Sequence, residues 1–196
     1  MRGESTILVV EDEENCREMY RNWLDDEYSV RTASGGREAL RKLDASVDVV
    51  LLDRRMAGLS GARTAAAIRR RVSDCHVVMV TALEPDTEIV DMDIDEYVTK
   101  PLRGRELRSV VDRMLARTQF RAEMQELFAL ASIKATLETE RHPAVLRDDE
   151  EYAELCRQLD RTRQRVSSAH RSADMGWDEA FAACGGTNET QTFGLA

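Results

Sequence analysis

Short, almost wholly apolar runs, each followed by an amphipathic stretch, recur through the first 116 residues and limit this chain's fold more than any other feature. Ile7-Leu8-Val9-Val10 is too short for a helix and too uniformly apolar for a strand with one wet face. It reads as a strand covered on both sides, as in a parallel sheet. Val47-Asp48-Val49-Val50-Leu51-Leu52 and His76-Val77-Val78-Met79-Val80 read the same way, with further strands over 28–33 and 96–98. Between them the periodicity predicts helices over 14–25, 36–43 and 61–71, a short helical turn after Pro85, and a helix from Leu102 onward. Five strands alternating with five helices imply an α/β fold with helices on both faces of the sheet.

Right-handed crossovers leave few topologies, and the flavodoxin-like strand order 2-1-3-4-5 is the one expected. After about Ala116 the strand signal stops. Phe120, Met124, Leu127, Ala131, Lys134 and Leu137 form one stripe at helical spacing, with Phe128 and Leu130 beside it. Arg141-His142-Pro143 breaks it, since proline and the residue before it resist a helix interior. Acids at 148–151 then open a second helix, where they complement the helix dipole. In that helix Tyr152, Leu155, Leu159, Thr162, Val166 and Ala169 repeat as a heptad seam. A helical hairpin, or a coiled coil with a partner chain, is expected. No Gly or Pro lies between Arg105 and Ala131, so the helix from Leu102 is expected to run into it. The divisions expected are 1–117, 118–170 and a disordered tail over 171–196. In that tail Trp177 and Phe181 are four apart, and Asn188-Glu189-Thr190 matches a glycosylation sequon by chance.

Twenty-eight basic residues against 37 acidic ones leave a net charge of −9, and only Lys42, Lys100 and Lys134 are lysines. So acidic a surface offers a phosphate backbone little to hold, and it suits a cytoplasm at high salt. Cys16, Cys75, Cys156 and Cys184 are scattered without zinc-ligand spacing, which fits free thiols and a cytoplasmic location. No apolar run reaches the roughly 18–20 residues of a membrane span, and the first residues do not read as a signal peptide.

In an open parallel sheet, ligands bind beyond the carboxyl ends of the strands where the strand order reverses. The expected order sets strand 1, ending in Glu11-Asp12, beside strand 3, ending in Asp53. Three carboxylates there would repel one another unless a hard divalent ion, Mg²⁺ above all, sat among them. Strand 4 ends in Thr81-Ala82, a hydroxyl and an accessible amide. Strand 5 ends in Thr99-Lys100-Pro101, an ammonium where the chain otherwise uses guanidinium. A cis bond before Pro101 would hold that loop. Acids, hydroxyl and amine from four strand ends make a phosphoryl-transfer site. No Gly-rich cradle follows strand 1, which disfavours a nucleotide fold.

In order and position, Glu11-Asp12, Asp53, Thr81-Ala82, Tyr97 and Lys100-Pro101 resemble the receiver domain of two-component response regulators, over residues ~5–116. The resemblance implies that Asp53 is the phosphoacceptor, taking its phosphoryl group from a sensor histidine kinase. Asp12 would bind Mg²⁺ directly and Glu11 through water, with the Arg55 carbonyl completing the protein ligands. Thr81, the Ala82 amide and Lys100 would hold the phosphoryl oxygens, and Thr81 and Tyr97 would act as the switch. Three departures stand out: Ala57 where most receivers have proline, Arg54 and Arg55 directly after the acceptor, and only eighteen residues between Thr81 and Lys100. Arg55 is expected to overhang the site, and the helix between strands 4 and 5 to be short. Residues ~120–168 resemble the HalX domain that follows receivers in halophilic archaea, through 127–132, Lys134-Ala135, 151–155 and the Pro143 break.

Two outputs compete. In the first, the hairpin relays the state of Asp53 to a partner or, as a homodimer, to a second copy through the C-terminal helices. In the second, Arg157, Arg161 and Arg165 on one helix face contact DNA as a transcription regulator. Glu154 and Asp160 are placed to pair with such arginines, and no helix-turn-helix is visible, so DNA is not favoured. Enzymatic activity beyond self-catalysed phosphotransfer and autodephosphorylation is not expected, because Arg55 occupies the place where haloacid-type phosphatases need a second acid.

Overall fold

In the computed structural model, residues 5–173 are described; the expectations for Trp177, Phe181, the 188–190 sequon and the tail beyond 173 fall outside them. Two compact units divide at Leu115 and Ala116. The first contains β1 (Thr6–Val10), α1 (Glu14–Leu24), β2 (Ser29–Ala33), α2 (Gly36–Lys42), β3 (Val47–Leu52), α3 (Gly61–Arg69), β4 (His76–Thr81) and β5 (Glu96–Thr99). All strand pairs are parallel, in the order β2-β1-β3-β4-β5.

Uniformly apolar strands follow from a sheet covered on both faces, because alternate side chains point to opposite sides. Ile7, Val9, Val49, Leu51, Val78 and Val80 pack with Tyr20 and Leu24 of α1 and with Leu107, Val111 and Met114. Leu8, Val10, Val50, Leu52, Val77 and Met79 face the other way, against Ala39 of α2 and Ala65 and Ile68 of α3. Asp48, the one charge within the β3 run, accepts from the Thr6 amide at 2.8 Å. The β1–β3 register shifts between Thr6 and Ile7.

The connection between β4 and β5 holds the short helical turn expected after Pro85. It is a five-residue 3₁₀ helix (Thr87–Asp91), opened by Asp86, whose carboxylate accepts from the Glu88 amide. The start of β5 is then held by Asp95. Its carboxylate accepts from the Val77 amide at 2.7 Å, lies 3.2 Å from His76 Nδ1 and pairs with Arg69. Arg69 also donates to the Cys75 and Asp93 carbonyls.

The helix from Gly104 is continuous to Glu140 (α4, Gly104–Glu140), as the lack of Gly and Pro predicts. The break at 141–143 is present, but the loop contains a short α5 (Pro143–Arg147) before α6 (Glu150–Ala173). In the second unit Leu130, Leu146, Leu159 and Thr162 are buried. The expected stripe is corrected at one turn, since Leu130 is buried and Ala131 exposed. The steps Leu127, Leu130, Lys134, Leu137 keep the 3.6-residue period without the drift that Ala131 introduces. Thr162, a weak apolar seam position, donates its hydroxyl to Glu126 at 3.1 Å. Tyr152 donates to Glu138 at 2.7 Å. Ala169 lies beyond the residues whose side chains are described.

Burial pushes the Asp95 carboxyl up, but hydrogen bonds from His76, the Val77 amide and Arg69 outweigh it and hold it well below the usual carboxylate range. A depressed folded pKa contributes stability above the unfolded value of about 3.9, and that contribution is lost as pH falls through the folded value. Asp95→Asn is therefore expected to lower stability by about 1–3 kcal/mol at neutral pH. Urea unfolding should show the deficit shrinking at acidities below the ordinary carboxyl range; a deficit independent of pH would remove Asp95 as the anchor of β5.

Candidate functional site

The ladder bonds of the sheet run one residue past the ends of β1, β3 and β5, and those residues carry the chemistry. The Glu11 amide donates to the Ala33 carbonyl at 3.0 Å, Asp53 to Val10 at 2.9 Å, and Lys100 to Thr81 at 2.8 Å. Their side chains therefore start from fixed backbone at a single sheet edge. Arg17 of α1 pins the turn after β1, donating to the Glu11 carbonyl at 2.8 Å and to Asp12 at 3.4 Å. Gly61 is required where α3 begins, because a Cβ there would stand 2.3 Å from the Asp53 carbonyl oxygen.

Glu11, Asp12 and Asp53 bring carboxylate oxygens within 4.8 Å of one another. Lys100 Nζ is 2.6 Å from Glu11 Oε2 and 3.4 Å from Asp53 Oδ1. Glu11 and Asp53 are buried, Asp12 exposed. Burial pushes the Glu11 carboxyl up against the pull of Lys100. For Lys100, burial opposes the charge, but its bond to Glu11 and the charge of Asp53 outweigh it and hold the amine above its usual range. One ammonium cannot neutralise three carboxylates. The surplus negative charge, on hard oxygen donors with one acid open to solvent, fits Mg²⁺.

The loop after β3 organises this cluster. The Arg55 amide donates to Asp53 Oδ2 at 3.1 Å, and the Ala57 amide to Asp12 Oδ2 at 3.1 Å. A proline at 57 would lack that second donor, so this chain's departure at 57 supplies a direct tie between the loops after β1 and β3. Lys100 also lies 5.8 Å from the centre of the Tyr20 ring, which meets Trp23 in a tilted contact with centres 5.6 Å apart. The Lys100–Pro101 peptide is cis.

Not every expected residue joins the cluster. Thr81 is buried at the end of β4 with its hydroxyl accepting from the Leu83 amide at 3.4 Å, and Ala82 is exposed beside it. Tyr97 is half-buried and donates to the Leu83 carbonyl at 3.0 Å. Arg55 is exposed, and the arginine that reaches across is Arg54. Arg54 pairs with Asp86 at 3.0 Å and Glu88 at 2.7 Å, and the neighbouring Tyr97 and Asp86 raise its guanidinium above its usual range. The run Glu84, Asp86, Glu88, Asp91 in a short loop was the sequence signal for such a partner. On α6, Arg157 and Arg161 both pair with Glu154, and Arg165 with Glu126.

The response regulator receiver domain family matches residues 7–112, and the HalX domain family residues 116–183. A Haloferax volcanii protein described as a transcriptional regulator is 42% identical over 177 residues, 90% of this chain but 30% of that relative. The transcriptional regulatory protein ResD of Bacillus subtilis is 34% identical over 120 residues, covering 59% of this chain and 50% of its own length. The chain thus spans a third to a half of the curated relatives it matches. Among solved structures, the receiver domain of DrrB activated with BeF3 is 28% identical with a TM-score of 0.54, over 58% of this chain and 98% of its own. The Thermotoga maritima response regulator TrrA, in complex with Mg²⁺ and BeF, is 35% identical with a TM-score of 0.51, over 56% and 98%. Among the described residues no helix is long and apolar enough to cross a membrane.

Asp12→Asn removes the exposed acid of the cluster while leaving the Lys100 bridge intact. Calorimetric titration is expected to show Mg²⁺ affinity falling roughly tenfold or more, with unchanged thermal stability in the absence of the ion. Equal affinity in the two proteins would dismiss Asp12 as a ligand.

Proposed function

The chain belongs to the response regulator receiver family, and from that premise we propose that it is a two-component response regulator phosphorylated on Asp53 and read out through its HalX-type helices. The observation that carries this reading is the contact of Lys100 with both Glu11 and Asp53 beside a third carboxylate. An Asp53 carboxylate oxygen attacks the phosphorus of a kinase phosphohistidine, the P–N bond breaks, and the imidazole leaves with a proton. Asp12, Asp53 and the Arg55 carbonyl, with Glu11 through water, would hold Mg²⁺, which would supply positive charge to offset that of the transferring group. Lys100 exchanges its contact with Asp53 for one with the new acyl phosphate. The Thr81 hydroxyl and Ala82 amide donate to the phosphoryl oxygens. For Tyr97 to turn inward it must leave the Leu83 carbonyl and Arg54, so the Arg54 ties to Asp86 and Glu88 bear on the switch. The TrrA structure, holding Mg²⁺ and BeF on a receiver 35% identical, supports the same chemistry here.

We assign the hairpin to passing this state to a partner or to a second copy. Regulators of transcription among the relatives support a second reading in which the chain acts on DNA. Against direct contact, Arg157, Arg161 and Arg165 are engaged with Glu154 and Glu126.

Incubation with a small phosphodonor and Mg²⁺ is expected to add one phosphoryl group by intact mass, and none to Asp53→Asn. No gain in the unaltered chain, or an equal gain in the variant, would overturn the assignment.

A further inference from the structure

The hairpin covers only one side of α4. Phe128 remains 67% exposed and Ile133 52%, and Ala131, Ser132 and Ala135 are exposed with them. From 127 to 137 Lys134 is the sole charged residue, whereas α6 is charged at almost every turn. An uncharged aromatic face of this kind on an acidic surface marks a contact. Beside it, a groove of about 400 Å³ lies between α4 and α6, lined by Ala131, Ala135 and Leu159. A cavity of ~150 Å³ already accommodates a benzene ring.

Knob and hole share one helix face, since Phe128 precedes Ala131 by three residues and Ala135 by seven. That arrangement is self-complementary. If two α4 helices cross antiparallel about a two-fold axis between Ala131 and Ser132, Phe128 stands opposite the second copy's Ala135, and the converse holds equally. Alanines at the crossing let the helices approach closely while each ring enters the other groove. Charge points to the same occupant. At −9 each, two copies repel through most of their surfaces, but the rim here carries Lys134 and Arg163 against Glu138 and Asp160 and is neutral.

We propose that this chain dimerises through the outer face of α4, each Phe128 filling the groove beside Ala131 and Ala135 of the second copy. This deepens the hairpin output proposed above by naming its partner, and it rests on that reading only for its purpose. The contact itself needs no phosphoryl group, so the test is run without phosphodonor or Mg²⁺ and fails separately from the Asp53 assignment.

Sedimentation equilibrium of the full chain is expected to give twice the 22.2 kDa chain mass, with association strengthening as salt screens the net charge. Phe128→Ala should weaken association tenfold or more, and Phe128→Glu should leave single chains of unchanged helix content by circular dichroism. Ser132→Cys, near the axis, should form a 132–132 disulfide under mild oxidation, and Thr139→Cys should not, as read by peptide mapping. Single chains at every salt concentration would overturn the proposal, as would a dimer indifferent to both Phe128 variants. Single chains that become dimers once residues 174–196 are removed would also overturn it, assigning the groove to the chain's own tail.

Discussion

Carboxylates brought together at one sheet edge push one another apart, and the ammonium of Lys100 between Glu11 and Asp53 is what lets the edge hold together. The backbone positions the residues that carry these charges. The Lys100 amide is bonded to Thr81, Asp53 is bonded to Val10, and Glu11 to Ala33. The parallel sheet is therefore the device that sets three charges at contact distance. An ammonium is a compact point charge that two carboxylates can share, whereas a guanidinium is a planar fork suited to one. That gives a physical reason for lysine here in a chain with 25 arginines.

The loop after β3 shows how a departure from a family pattern is absorbed. Losing proline at 57 frees a backbone donor, and that donor engages Asp12. Arg54, next to Asp53, pairs with Asp86 and Glu88 and lies near Tyr97. It links the loop that would sense a phosphoryl group to the short 3₁₀ connection and the aromatic that would respond. Reducing the span between β4 and β5 to one 3₁₀ helix leaves that connection dependent on such side-chain ties, with Asp95 anchoring its far end.

In the helical hairpin, polar groups at seam positions are satisfied across the pair, Thr162 by Glu126 and Tyr152 by Glu138. Glu126 also pairs with Arg165 of α6, while Glu154 of α6 itself pairs with Arg157 and Arg161. Of these arginines only Arg165 reaches across to α4, and an uncharged stretch of α4 remains exposed. Burying the hairpin's own seam thus leaves Phe128 uncovered.

The sheet, its order and the identity of the residues at its edge were legible from the sequence because they rest on local patterns. Apolar runs, their length and the residue that follows each run are written consecutively along the chain. Helical continuity through 105–131 and the break at Pro143 were legible for the same reason. Tertiary structure alone decided that Arg54 and not Arg55 crosses the loop, that the Ala57 amide serves Asp12, and that Leu130 and not Ala131 enters the seam. It also showed that the stripe of Arg157, Arg161 and Arg165 is spent on nearby acids. Those outcomes turn on which of several competing groups lies within about 3 Å of a donor, and such distances are set between segments far apart in the chain.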